Sequence, residues 1–420
     1  MGQNCEFHTL NRPLKMNLLI LSTKSHRMNR IFSADLIFSG DSPAIKNGWI
    51  ECDYNGKIIS INESAIPKNA EIFNGIIVPG FINTHCHLEL SHLLGCITEK
   101  QGMTAFISSL FAQRFSFSTE EQLAAMQKAE DEMLQNGIVA VGDISNFESS
   151  FEVKKNARLY YHTFVEVFGL DPMRAEEIIL KAKSLSEKFS SLEKHTSSLV
   201  PHAPYSVSDW LFELLSAEYK NNSPVSIHME ESMDEYQFCY NKTGPFAKLF
   251  SAFGIDYSLF KATPDATPLQ RTLPKLIASN NLLLVHNTYT TIEEIDWATS
   301  QHENIYWCLC PNANQYITNR LPDLNFFNND RLKVTIGTDS LASNHSLNVL
   351  DELKIIQRSN HDIPFDRLIK WATINGAAFL GIEKTFGSIS EGKTPGLVLL
   401  EGIDVESLII NDSVKIRRIV

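Results

Sequence analysis

Two histidines separated by a single residue, His85 and His87, are the side chains from which chemistry can be read first. In an extended segment residues i and i+2 project to the same side, so both imidazoles can meet one ion. Cys86, between them, faces the other way and is not counted as a ligand. Imidazole suits zinc or iron, and a carboxylate completes a mixed nitrogen/oxygen site. His228 and Asp339, each just behind a later apolar run, are the natural remaining ligands. Such a set leaves a position open for water, as a catalytic site requires and a structural one does not. The expectation is one divalent metal ion, zinc first with iron as the alternative.

Elements must bring these four residues together. Between residues 76 and 384 short apolar runs alternate with helix-like stretches, the pattern of parallel strands joined by crossover helices. The runs are Gly75–Asn83, Ile138–Ile144, Leu159–Val167, Ser198–Pro201, Pro224–Ile227, Leu282–Val285, Ile305–Leu309 and Val334–Gly337. Helices are predicted over Thr119–Gln135, Ala175–Lys188 and Asp209–Lys220, the last with Ser208 as N-cap. A (β/α)8 barrel of the TIM type follows. Most runs are succeeded by a residue able to do chemistry: His85 and His87, Asp143, Glu166, His202, His228, His286 and Asp339. Barrel active sites sit at the C-terminal ends of the strands.

Residues 28–75 read as strands at Ile31–Ser39, Trp49–Cys52 and Lys57–Ile61, with Asn55-Gly56 as a hairpin turn. Residues 385–420 repeat the texture at Leu397–Leu400, Ser407–Ile410 and Val414–Val420. The two ends are expected to form one small composite β-sandwich domain. Residues 1–27 fit neither unit and read as a leader, disordered or preceding the true start.

A formal charge of -12 repels polyanions, so nucleic acid is excluded as a partner. No stretch approaches the ~20 apolar residues of a membrane helix. The seven cysteines, irregularly spaced, suggest free thiols and a cytoplasmic protein. A small heterocyclic molecule is the expected partner, and a homo-oligomer is compatible with the composition.

The segment Val78-Pro79-Gly80-Phe81-Ile82-Asn83-Thr84-His85-Cys86-His87 resembles the opening motif of the amidohydrolase superfamily. His228-Met229-Glu230-Glu231-Ser232 resembles its His-x-x-Glu element, and Val285-His286-Asn287 its strand-six histidine. Cys310-Pro311-Asn312-Ala313-Asn314 and the run Gly337 to Asn344 complete the set in order. The resemblance, strongest to the deaminase and chlorohydrolase branch, implies roles. His85, His87, His228 and Asp339 would bind the metal, which lowers the pKa of water toward ~7. Glu231 would shuttle a proton, His286 would hold the attacking water, and Asp339 would accept its proton. His202 and Ser343 match substrate contacts. Binuclear members carry a lysine after strand four; here that strand ends Val200-Pro201-His202, which implies one metal.

The resemblance therefore implies a hydrolase that replaces an exocyclic amine on a purine-, nucleoside- or pterin-like ring with oxygen, releasing ammonia. Dechlorination or cyclic amide hydrolysis would use the same site, and a non-catalytic binding barrel is the third reading. Two features depart from thioadenosine-type relatives. The loop Thr98–Phe106 has no tryptophan, and strand three ends Glu166-Val167-Phe168 with no arginine before Arg174. Aromatic residues in 233–280 (Tyr236, Phe238, Tyr240, Phe246 and Phe250) either cover the pocket or pack that insertion.

Overall fold

The computed structural model describes residues 29–219, 223–277 and 281–420. The expected leader, residues 1–27, lies outside them. Two four-stranded parallel sheets form the centre. The first runs Phe81–Cys86, Ile138–Ser145, Tyr160–Val167 and Thr196–Pro201; the second runs Pro224–Met229, Asn281–His286, Ile305–Leu309 and Lys333–Ile336. These are strands one to eight below. All but Thr196–Pro201, which is half buried, are almost wholly buried, which is why they read as unbroken apolar runs rather than alternating ones.

The two sheets meet at both ends. His228 N donates to His202 O at 2.9 Å, linking strands four and five. Strands one and eight meet through a parallel bridge between Cys86 and Asp339. Polar side chains tie the same seam: Thr84 Oγ1 donates to Ile336 O at 3.0 Å, and Asn83 Nδ2 to Thr338 Oγ1 at 2.7 Å across 255 positions. Gly337 is required here, because a Cβ would lie 2.8 Å from both His85 Cβ and Cys308 Sγ.

The predicted helix Thr119–Gln135 forms with those bounds, opened by a Ser118/Glu121 capping box. Asp209–Glu218 begins as expected, with Ser208 Oγ accepting from Leu211 N. Ala175–Ser190 extends two residues past its expected end.

Strands from both termini share one continuous seven-stranded sheet, in the order Lys415–Arg418, Leu397–Glu401, Glu71–Pro79, Arg30–Ile37, Trp49–Cys52, Ile58–Asn62, with Ile45–Lys46 paired to Arg30–Ile37. It is a single hydrogen-bonded sheet where a two-layered sandwich was expected, because Glu71–Pro79 pairs with a strand from each terminus. Two further expectations are corrected. The run Gly75–Asn83 is not one barrel strand: Gly75 to Pro79 belongs to the terminal sheet, and strand one starts at Phe81. The break is Gly80, whose missing side chain would lie 2.3 Å from Val139 and 2.6 Å from Pro395 O. Ser407–Ile410 is not a strand. Asp404 folds it into a turn by accepting from Glu406 N and Ser407 Oγ, and Leu408 takes a left-handed φ of 56°.

Inside the first sheet lies an ion pair that the sequence conceals. Lys154 Nζ sits 2.7 Å from Asp143 Oδ2, and both side chains are 0% exposed. The ammonium also donates to Ser145 Oγ and Thr163 Oγ1 at 3.0 Å and lies over the Phe189 ring. Asp143 Oδ1 accepts from Leu88 N at 2.7 Å, the residue following His87. Removing one partner of such a pair strands the other charge, at a cost of about 3–5 kcal/mol. Lys154→Met is accordingly expected to lower unfolding stability by that order in denaturant titration. A midpoint and slope equal to the parent's would remove the pair from the fold's supports.

Candidate active site

His85 and His87 end strand one with their Nε2 atoms 3.2 Å apart. Asp339 Oδ1 lies 3.7 Å from the first and 3.4 Å from the second. One ligand atom from each of His85, His87, His228 and Asp339 falls within 4.8 Å of all the others. The four residues expected as ligands are thus brought to one point at the C-terminal ends of strands one, five and eight.

The ring orientations fit a cation. A carbonyl only accepts, so the 2.8 Å contact between His228 Nδ1 and His202 O puts the proton on Nδ1 and leaves Nε2 as a lone pair. Burial pulls the His87 imidazole down to about 3 and His228 well below its usual range, which keeps both neutral. At Asp339 burial opposes ionisation, but the hydrogen bond from His85 and the surrounding imidazoles prevail, and the carboxyl stays below its usual range. Two Nε2 atoms facing each other across 3.2 Å, beside an ionised carboxylate, need a shared positive centre. The donor set therefore fits one borderline cation such as zinc.

Asp339 is held from behind. Ser343 Oγ donates to its Oδ2 at 2.6 Å, and Ser340 Oγ lies 3.0 Å from Ser343 Oγ. Ser343 is fully buried and is not among the residues lining the cavity, so it supports Asp339 rather than facing a substrate. Asp339 has φ 56° and His286 φ 76°, left-handed backbone that non-glycine residues adopt at some cost. Both turn sharply at the strand ends, where these side chains enter the site.

His286 faces Glu231: its Nε2 is 3.5 Å from Glu231 Oε1 and has no hydrogen-bond partner. Its Nδ1 donates to Asn314 Oδ1 at 2.8 Å, and Asn314 Nδ2 donates in turn to Thr288 Oγ1 at 2.6 Å. Asn314 thereby sets the tautomer that leaves Nε2 free. Glu231 N is tied to Glu235 Oε2 at 3.1 Å and Glu230 N to Glu235 Oε1 at 3.2 Å. Glu230 itself accepts from Leu269 N and Thr290 Oγ1. The acidic run after strand five is thus a buried scaffold, not a solvated face. Burial, with a smaller contribution from Asp339, holds the Glu231 carboxyl well above the usual carboxylate range.

A cavity of about 210 Å³ opens over these groups. At its base lie His87, His202, His228, Glu231, His286 and Asp339. Its outer part is apolar: Met103, Phe106, Ile107, Leu110 and Phe111 come from helix Met103–Gln113, and Phe246, Leu249 and Phe250 from helix Gly244–Ala252. The insertion thus does both things expected of it. Phe246 and Phe250 line the cavity, while Phe238 is fully buried among Phe246, Phe250, Tyr257 and Phe260. Tyr240 stays exposed.

Sequence reading missed one cavity residue, Arg114. Arg114 caps helix Met103–Gln113 and pairs with Glu89, which is buried two residues past His87. Burial lifts the Glu89 carboxyl to about 7 against the pull of Arg114. No motif marks Arg114; only the packing of its helix along the cavity puts it there.

Comparison with known proteins agrees with this geometry. The profile of the amidohydrolase family matches residues 76–418. An adenosine deaminase of Helicobacter pylori is 28% identical over 337 residues, covering 77% of this chain and 78% of that one. The crystal structure of Helicobacter pylori aminofutalosine deaminase in complex with methylthio-coformycin superposes with a TM-score of 0.79 at 22% identity, over 93% of this chain and all of that one. Atrazine chlorohydrolase from Arthrobacter aurescens TC1, complexed with zinc, gives 0.71 at 15% identity, with 90% of each chain covered. Among the described residues no helix is long and apolar enough to cross a membrane.

Proposed function

Because this chain belongs to the amidohydrolase family and is a hydrolase of non-peptide carbon–nitrogen bonds, we propose that it deaminates an aminated heterocycle of the purine-nucleoside type. The observation that carries this reading is the Glu231–His286 pair, which lines one cavity together with three of the four ligand residues, His87, His228 and Asp339. A divalent cation held there, zinc by preference, would supply the acidity that makes water nucleophilic near neutral pH. His85, His87, His228 and Asp339 hold it. His286 Nε2, free of other partners, orients the attacking water. Glu231 takes one proton of the attacking water and passes it to the ring nitrogen next to the attacked carbon, while Asp339 accepts the other, which returns to the departing amine. Oxygen bonds to that carbon, the carbon–nitrogen bond breaks, and ammonia leaves.

The cavity narrows the substrate. Its outer wall is apolar, and Arg114, the one lysine or arginine lining it among the described residues, is already paired with Glu89. An uncharged apolar substituent on the sugar or ring matches that wall better than a carboxylate. In the same reading strands one to eight close into a (β/α)8 barrel over 76–384. The sheet of both termini, 28–75 with 385–420, is a separate small domain. Unpaired cysteines are consistent with the cytoplasm.

The test is a panel of adenosine, 5′-methylthioadenosine, a pterin amine and atrazine, scored for ammonia and chloride. Ammonia from the adenine nucleosides is expected, with about one metal ion per chain. Chloride without ammonia would move the reading to dechlorination, and two ions per chain would contradict a mononuclear site.

A further inference from the structure

Resting on that reading for what Asp339 and His286 do, we infer that Glu352 is a positioning residue that holds the metal ligand and the water-orienting histidine in register. The motif segments Cys310–Asn314 and Gly337–Asn344 each contain an asparagine that the chemistry leaves unused, Asn312 and Asn344. Neither lines the cavity, and neither does Glu352, which lies on helix Val349–Ser359 and is 0% exposed. Yet one Glu352 carboxyl takes a donor from each segment. Its Oε1 accepts from Asn344 Nδ2 and its Oε2 from Asn312 N, both at 2.9 Å. The loop after strand eight and the helix after strand seven thus share one buried acceptor.

Asn344 carries the first arm. Its Nδ2 also donates to Thr338 O at 2.8 Å. The same peptide gives its N–H, that of Asp339, to His85 O at 3.1 Å. The peptide entering Asp339 is therefore gripped on both edges, just where the chain turns into the left-handed backbone that brings the carboxylate to the nest. Asn344 cannot turn over, because its Oδ1 accepts from His345 N at 2.7 Å and Ser346 N at 3.3 Å. The second arm runs through helix Pro311–Thr318. Asn312 N lies in its first turn, where an N–H has no carbonyl of its own helix to bond. Two residues on, Asn314 Oδ1 holds His286 Nδ1. A carboxyl suits two facing N–H donors and an amide does not. Glutamine has one acceptor, which the backbone N–H of Asn312 claims, so its NH2 would face the NH2 of Asn344.

Glu352→Gln, Asn344→Ala and the double variant test this at about pH 9, where the Glu352 carboxyl, pushed up by burial to about 8, is ionised. Cobalt(II) affinity of the metal-free protein would be read by competition with a chelating dye. Ammonia release from adenosine with saturating zinc gives kcat and KM. Each single change is expected to weaken cobalt binding by about 10-fold, the lower end of what an outer partner of a metal ligand contributes. The double variant should bind no more weakly than Asn344→Ala, because Glu352 reaches the nest through Asn344. In Glu352→Gln kcat should fall by roughly 10- to 100-fold with KM within about twofold, the effect of a misplaced reacting group. A lowered unfolding midpoint with unchanged cobalt affinity and kcat in both single variants would make Glu352 a support of the fold alone and overturn the inference. So would additive losses in the double variant. If Glu352→Gln does not fold, parent-like cobalt affinity in Asn344→Ala overturns it by itself. A parent that releases no ammonia from adenosine would count against the deaminase reading, while the cobalt affinities still decide the arm to Asp339.

Discussion

Glu231→Gln is expected to lower kcat by about 10²- to 10⁴-fold, the range supplied by a well-placed general acid/base, while the protein keeps its metal ion. The amide preserves the shape of the side chain and removes its capacity to take up and release a proton. Glu231 touches no ligand of the nest by hydrogen bond; its nearest ionisable neighbour is His286 at 3.5 Å. Its backbone is fixed independently by Glu235, so the substitution should not move the loop. Metal analysis and kinetics on the same preparation give the result. Unchanged kcat would reject proton transfer by Glu231, and loss of the metal would show that the carboxylate belongs to the nest instead.

His228→Ala should act the other way round. Its Nε2 is the one ligand atom contributed by strand five, and its Nδ1–H anchors the ring to His202 O at 2.8 Å. Without the imidazole the nest keeps only three donors, all from strand one and the end of strand eight. Removing even an outer partner of a metal ligand typically costs 10- to 100-fold in affinity, so loss of the ligand itself should exceed about 100-fold. Competition with a chelating dye reads this without any turnover. A full complement of tightly held metal in the variant would take His228 out of the ligand set.

Much of this was legible because the barrel strands are buried on both faces and so appear as apolar runs closed by a polar residue. Ile305–Leu309 has the same bounds in sequence and structure, and the other runs from Ile138 onward overlap their strands. His85 and His87 were legible because spacing alone puts them on one side of a strand. What stayed hidden depends on tertiary neighbours. Gly75–Asn83 is continuously apolar, and only the collision that a side chain at Gly80 would cause with Val139 shows that it serves two sheets. Nothing in the sequence sets Lys154 apart from its neighbour Lys155, yet Lys154 points inward to Asp143. Only the resemblance singled out Glu231 from its acidic neighbours; burial shows Glu235 holding the backbone of both Glu230 and Glu231. Asn314 stood inside a motif, but its bond to His286 is visible only once helix Pro311–Thr318 is packed under strand six.

The seam between Cys86 and Asp339 has a consequence for how the protein acquires its ion. A chain emerging from the ribosome displays His85 and His87 early, but Asp339 is made some 250 residues later, as the 255-position span of the Asn83–Thr338 bond measures. The complete nest cannot exist before synthesis has passed strand eight and that strand has docked. Cation capture is therefore a late event, and cells starved of the ion should accumulate finished, empty protein rather than stalled fragments.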